Sequence, residues 1–266
     1  MHHPHRPKPR PTRWRGWVTS IAIFAFLIIC VKPPADVPTI STTGSSSSGG
    51  SKSLPSSSTP MNALSEGDVL VQCELVTPFV DERSEILSAG GTLEIIVHRG
   101  LAPLASDSFL DMVSSNHFDH NYLFRVVEGF VVQWGIESPI AAHTSGRVKF
   151  PKADIDPPPA AADTENTLLR SNVRGAMNFA GGNSASGQVY VNRGTNSHLD
   201  KEPGSLPFAT LDERSMSIID SVYSYKEGLG QVKAVNGGDE EVKRLFPRMS
   251  RIEKCRIDHA FEKGID

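Results

Sequence analysis

The stretch from Tyr122 to Gly135, YLFRVVEGFVVQWG, constrains this chain more than any other. It is dense in β-branched and aromatic residues, the composition of strands. Glu128-Gly129 interrupts it, and glycine lets a chain turn where φ > 0 is needed. The stretch therefore predicts two strands joined by a turn. Side chains alternate between the faces of a strand. Arg125 and Val127 thus share a face in the first half, and Val131 and Gln133 share one in the second. A lone Arg and a lone Gln among apolar neighbours are costly unless they are paired or used. Two readings stand: an Arg snorkelling from a sheet edge with Gln beside it, or a polar pair kept for function.

Charge is unevenly spread. Residues 1–15 hold five bases (Arg6, Lys8, Arg10, Arg13, Arg15) and no acid; the other 251 residues hold 22 bases and 30 acids, a net of −8. A mildly acidic body lacks the basic face that a nucleic-acid partner requires. Val18 to Val31, VTSIAIFAFLIICV, is an uncharged apolar run of 14 residues, and with Gly16 and Trp17 it fills 16–31. A helix of that length covers about 24 Å, short of a ~30 Å hydrocarbon core. A basic segment before a short apolar one is also the pattern of a secretory signal peptide. The following KPPADVPT offers no small-x-small cleavage site, which favours an uncleaved transmembrane signal anchor. Residues 1–15 would then be a cytoplasmic tail and the body would lie in the ER or Golgi lumen, behind a thin membrane. If the segment is cleaved, the body is secreted. Residues 32–61 are Ser-, Gly- and Pro-rich with nothing to bury, and are expected to form a disordered linker. No Asn-x-Ser/Thr sequon occurs.

The body, 62–266, is long enough for one core. Asp68–Val76 and Gly91–His98 predict strands. Ala105, Phe109, Met112 and Val113 fall at i, i+4, i+7 and i+8, the apolar stripe of a helix that Pro103 can open. Asn116–His120 is a turn. Residues 136–172 are Pro- and Ala-rich without periodicity. Gly181-Gly182-Asn183 makes a tight loop, Gln188–Asn192 a short strand, and Pro207-Phe208 starts another. Met216, Ile219, Val222 and Tyr223 give a second helical stripe, with Tyr223 and Tyr225 as helix-core residues. Asp239–Phe246 predicts a further helix with Asp239 as N-cap, a charged first turn at Glu240-Glu241, and Pro247 as its stop. Cys255-Arg256-Ile257 closes the sheet. Many strands, few helices and no βαβ rhythm predict a mainly β closed or sandwiched architecture. Cys73 and Cys255 can pair in an oxidising lumen or remain two buried thiols. His117 and His120 lack a third ligand in the same block and read as surface turn residues, so no metal is expected. Asp154-Ile155-Asp156 spells a metal-nucleotide D-x-D, and a short tail, anchor and stem also describe a Golgi glycosyltransferase, but the body has no βαβ nucleotide fold.

The blocks GTLEIIV, APLASDSFLDMV, LFRVVEGFVVQWG, GAMNFAGGNSASGQVYVN, HLD and PFATL, in this order, resemble a cyclophilin-type peptidyl-prolyl isomerase domain. The likeness covers roughly residues 66–258 and is similar to a divergent algal and protist branch, with an Asn172-x-Arg174-Gly175 run and the tail LFPRMSRIEKCRI. It implies a closed eight-stranded antiparallel barrel capped by helices. It implies an isomerase of X–Pro bonds in secretory-pathway polypeptides, with proline-containing substrates, no cofactor and no nucleic acid.

The resemblance also assigns residues. Arg125 matches the catalytic arginine and Gln133 the glutamine that orients it. Phe130, Val131, Tyr190 and Leu199 match the proline pocket, with Val131 for the usual Met and Tyr190 for the usual Phe. Gln188 and Ala180 match the residues beside the substrate backbone. Departures are Leu123-Phe124 for Phe-His, Glu128 for Pro, Trp134 for Gly, Gly181 for Asn and His198 for the rim Trp that binds cyclosporin. No histidine near Phe208 matches the family's. Trp134 either narrows the groove or caps the core. The second functional reading is a peptide- or protein-binding module with little turnover.

Overall fold

A computed structural model describes residues 67–79, 90–136, 169–182, 186–201, 204–226 and 229–258. All lie in the second of the chain's two compact units, Ser57–Asp266. The expected anchor, the linker and the D-x-D fall outside these residues. Among those described, no helix is long and apolar enough to cross a membrane.

The strands are β1 (Asp68–Val76), β2 (Gly91–His98), β3 (Asn121–Tyr122), β4 (Arg125–Val126), β5 (Val131–Trp134), β6 (Ala176–Phe179), β7 (Val189–Asn192), β8 (Ala209–Leu211) and β9 (Arg251–Ile257). The helices are α1 (Pro103–Ser114), α2 (Glu213–Asp220), α3 (Leu229–Gly237) and α4 (Asp239–Leu245), with a 3-10 turn at Ser197–Lys201. All nine strands join one antiparallel sheet in the order β3-β9-β1-β2-β8-β6-β7-β5-β4. This corrects the closed eight-stranded barrel: among the described residues, the hydrogen-bonded order has nine members and two ends. The two end strands, β3 and β4, are consecutive in the chain, separated only by Leu123 and Phe124. Eight strand spacings laid flat would span about 38 Å, whereas the three Cα steps from Tyr122 to Arg125 reach at most about 11 Å. The sheet must therefore curl until its margins nearly meet, and segment 121–126 lies along both.

Alternation assigns the faces. Val69, Val71, Cys73 and Leu75 of β1, Leu93, Ile95 and Val97 of β2, Val132 and Trp134 of β5, Met177 and Phe179 of β6, and Val189 and Val191 of β7 all point into one core. Ala105, Phe109, Met112 and Val113 of α1 join them, as their spacing predicts. Cys73 and Cys255 sit directly opposite each other on β1 and β9 and form a disulfide closing a separation of 182 residues.

The C-terminal helices differ from expectation. Met216 and Ile219 are buried on α2, but Tyr223 lies beyond the helix and is 39% exposed, so it is not a core residue. Arg248 instead stacks over its ring at 3.6 Å. Helix α3 has no sequence signal: it carries Gly230 and Gly237, and Gly is a poor helix former. It packs with α4 over Tyr122 and Phe124 through Ala234, Val235 and Val242. The N-cap of α4 is Gly238, not Asp239; the Asp239 carboxylate instead accepts from Tyr122 and Arg251.

Two backbone positions beside the site yield tests. The turn Val127–Phe130 is closed by the Phe130 N–H on the Val127 carbonyl at 3.2 Å. Gly129 has φ +66 and Glu128 has negative φ, the signs of a type II turn, whose second position favours proline. Glu128→Pro is expected to stabilise by about 0.4–1 kcal/mol, through the unfolded chain; an unchanged or lowered urea midpoint contradicts this. At Gly135, φ is +109 and a Cβ would lie 2.2 Å from the Gly187 carbonyl oxygen and 2.6 Å from the Gln188 Cα. Neither backbone atom can swing away. Gly135→Ala is expected to cost about 3 kcal/mol or more by denaturant unfolding; a loss below about 1 kcal/mol would show that β5 and β7 can part there.

Candidate active site

The outer face of the curled sheet is where the polar residues of the central stretch emerge. Arg125 pairs across the ladder with Gln133, and Gln133 with Tyr190. Three adjacent strands thus set Arg125, Gln133 and Tyr190 side by side, on the face opposite Val126, Val132 and Trp134.

Hydrogen bonds fix their orientation. Arg125 Nη1 donates to Gln133 Oε1 at 3.3 Å, and Gln133 Nε2 donates to Gln188 Oε1 at 2.9 Å. Turning either amide over would set donor against donor or acceptor against acceptor, so the relay specifies both glutamines. Gln133 is only 9% exposed, which protects the relay from water. Phe130 flanks the guanidinium, with the Arg125 Cζ 5.5 Å from its ring centroid, within cation–π range. His198 stacks on the same ring at 5.9 Å and 19°. His198 thus lies flat against the Phe130 ring.

Val131 is buried and opposite Asn192. Ala180 donates its N–H to the Gln188 carbonyl at 2.8 Å, which sets its backbone beside Gln188. Leu199 is on the 3-10 turn next to His198, half-buried. Tyr190 is half-buried, and its hydroxyl donates to Asn172 Oδ1 at 3.2 Å. Burial pushes the Tyr190 phenol above its ordinary value, so it is a neutral donor.

Trp134 is 1% exposed and belongs to the core. It faces inward, away from Gln133. Glu128 is exposed at the turn tip, and Gly181 is exposed with φ +82. Phe208 is fully buried in the core. His117 is not a surface residue: it is 5% exposed, with Nε2 3.0 Å from the Gly187 carbonyl oxygen. His120 pairs with Glu253 at 3.2 Å. Among the described residues, no three His, Cys, Asp or Glu side chains group as metal ligands.

Sequence reasoning missed a second polar cluster, at the Tyr190 hydroxyl. Asn172, Asn178, Asn192 and Asn196 are all buried, between 0% and 4% exposed. They are scattered over 25 positions, and only the strand pairing brings them together. The one signal was the Asn172-x-Arg174-Gly175 run, whose first residue is the hub.

The curled sheet thus carries, on its outer face, one arginine hydrogen-bonded to a glutamine and flanked by the Phe130 ring. The family model for cyclophilin type peptidyl-prolyl cis-trans isomerase/CLD matches residues 84–245, and the chain belongs to that family. Peptidyl-prolyl cis-trans isomerase A of Dickeya dadantii is 25% identical over 142 residues, 52% of this chain and 68% of that protein. Two solved structures of a Cryptosporidium parvum cyclophilin type peptidyl-prolyl cis-trans isomerase align with TM-scores of 0.41 and 0.40, at 15% and 16% identity. They cover 72% and 71% of this chain and 98% of each of theirs, and the second was solved in the presence of the dipeptide Ala-Pro. That likeness is loose, and the family assignment rests on the family model.

Proposed function

We propose that the protein isomerises X–Pro bonds of secretory-pathway polypeptides in the outer groove, with Arg125 as the catalytic group. The observation that carries this is the Arg125–Gln133–Gln188 relay beside Phe130.

The chemistry asks little else of the protein. Rotation about an X–Pro bond faces a barrier of ~18–20 kcal/mol from amide resonance. No bond breaks, so no nucleophile or cofactor is needed. The catalyst must bind the twisted amide better than either planar form. In the twisted form the prolyl nitrogen is pyramidal and carries a localised lone pair. A guanidinium N–H aimed at that nitrogen stabilises the twisted form and weakens the resonance. Phe130, Val131, Tyr190 and Leu199 would hold the proline ring, while Gln188 and the Ala180 backbone hold the flanking chain. Gln133 holds Arg125 in place before the substrate arrives, so no reorganisation is needed during rotation.

The setting is proposed on two supports. The disulfide joining Cys73 and Cys255 suits an oxidising compartment. The basic tail and the apolar run 16–31 suit a signal anchor with the body in the ER or Golgi lumen, or secretion if the run is cleaved.

The test is the rate of X–Pro isomerisation in a short peptide, with the protein at catalytic concentration, alongside the peptide affinity. Acceleration by wild type and its loss in Arg125→Ala support the reading. Binding without acceleration would make the groove a peptide-binding module instead.

A further inference from the structure

We infer that Asn172 is a positioning residue for the proline pocket, acting through the hydroxyl of Tyr190. The inference rests on the isomerase reading of the groove and concerns how its floor is held.

Every polar atom of Asn172 is engaged. Its Oδ1 accepts from Asn178 Nδ2 at 2.8 Å, Asn192 Nδ2 at 3.1 Å and the Tyr190 hydroxyl at 3.2 Å. Its Nδ2 donates to Asp200 Oδ1 at 2.8 Å and to the Ser205 carbonyl at 3.1 Å. Its backbone N–H donates to the same Asp200 oxygen at 2.7 Å, and its carbonyl accepts the Asn196 N–H at 2.7 Å. The side chain is fully buried.

These bonds lead to three sides of the pocket. Tyr190 is the floor. Asp200 adjoins Leu199 on the 3-10 turn. Asn196 donates its Nδ2 to the Phe130 carbonyl at 3.0 Å and to Asn192 Oδ1 at 2.8 Å. One residue, from outside the strands that carry the site, therefore ties together the segments bearing Tyr190, Leu199 and Phe130. Asparagine suits the task because its short amide offers an acceptor to three donors and a donor to Asp200 at once. A carboxylate there would face the Asp200 carboxylate, and an apolar side chain would strand several buried groups. The tyrosine hydroxyl is the link: a phenylalanine floor would have no bond to Asn172 and could shift in the pocket.

The test is a double-mutant cycle of Tyr190→Phe and Asn172→Ala, read as kcat, KM and peptide Kd, with thermal unfolding alongside. Tyr190→Phe removes only the hydroxyl and is expected to raise KM and Kd about three- to ten-fold, the worth of one net hydrogen bond, with kcat within two-fold. The double variant is expected to bind no worse than Asn172→Ala alone, because the second change removes a link already cut. Unchanged KM and Kd in Tyr190→Phe, or losses that multiply in the double variant, overturn the inference. If Asn172→Ala does not fold, the Tyr190→Phe constants decide by themselves. If wild type binds peptide but gives no acceleration, the isomerase reading fails, while the Kd values still decide the role of Asn172.

Discussion

Replacing Arg125 with alanine is expected to lower kcat/KM for X–Pro isomerisation about 10²- to 10³-fold, with peptide affinity within a few-fold of wild type. The size follows from removing one pre-oriented donor aimed at developing charge, a loss of roughly 3–4 kcal/mol of transition-state stabilisation. The asymmetry between rate and affinity follows from where the donor acts. A planar amide nitrogen has its lone pair delocalised and accepts poorly, whereas the twisted nitrogen accepts well, so the bond is made only in the transition state. The guanidinium has five N–H donors, so Nη1 can stay on Gln133 while others face the substrate. Lysine has no such fork, and Arg125→Lys is expected to recover little. A fall in affinity that accounts for the whole loss of kcat/KM would place Arg125 among binding groups instead.

Reduction of the Cys73–Cys255 disulfide is expected to destabilise the body by about 2–5 kcal/mol. The bond links strands near the two ends of the domain across 182 residues. It sits in the longest-range ladder of the sheet, β1 with β9. Without it, the unfolded chain regains the freedom of that whole loop, and two core positions lose their covalent contact. The measurement is the urea midpoint with and without reductant, using Cys73→Ala/Cys255→Ala as the insensitive control. A midpoint that reductant does not move would mean that the pairing contributes nothing, and would remove a support for the lumenal setting.

Much of the layout of the candidate site was legible because it depends on local alternation. Period two alone singled out Arg125 and Gln133 as a polar pair among apolar neighbours, though it left open whether they snorkel or serve a function. The resemblance then placed Phe130, Gln188 and Tyr190 around them, and the ladders bring the strands that carry them side by side. Helix α1 was equally readable, since its apolar stripe and Pro103 are contiguous in the chain. What local pattern could not carry was pairing between distant segments. Asn172 looks like any loop asparagine until β6 and β7 bring Asn178, Tyr190 and Asn192 to it. Trp134 could be assigned to groove or core only once the face of β5 was known. Helix α3 forms despite Gly230 and Gly237 because Tyr122 and Phe124 need cover, a tertiary demand that propensity does not record. Tyr223 fits a helical stripe by spacing, but the helix ends at Asp220 before reaching it.

The most direct test of the central claim is exchange spectroscopy on an Ala-Pro-containing peptide with substoichiometric protein. Uncatalysed exchange takes tens to hundreds of seconds and gives no cross-peaks on the mixing timescale. Wild type is expected to give cis–trans exchange cross-peaks that vanish with Arg125→Ala, although both still shift the peptide resonances on binding. Binding shifts without exchange in wild type would contradict it.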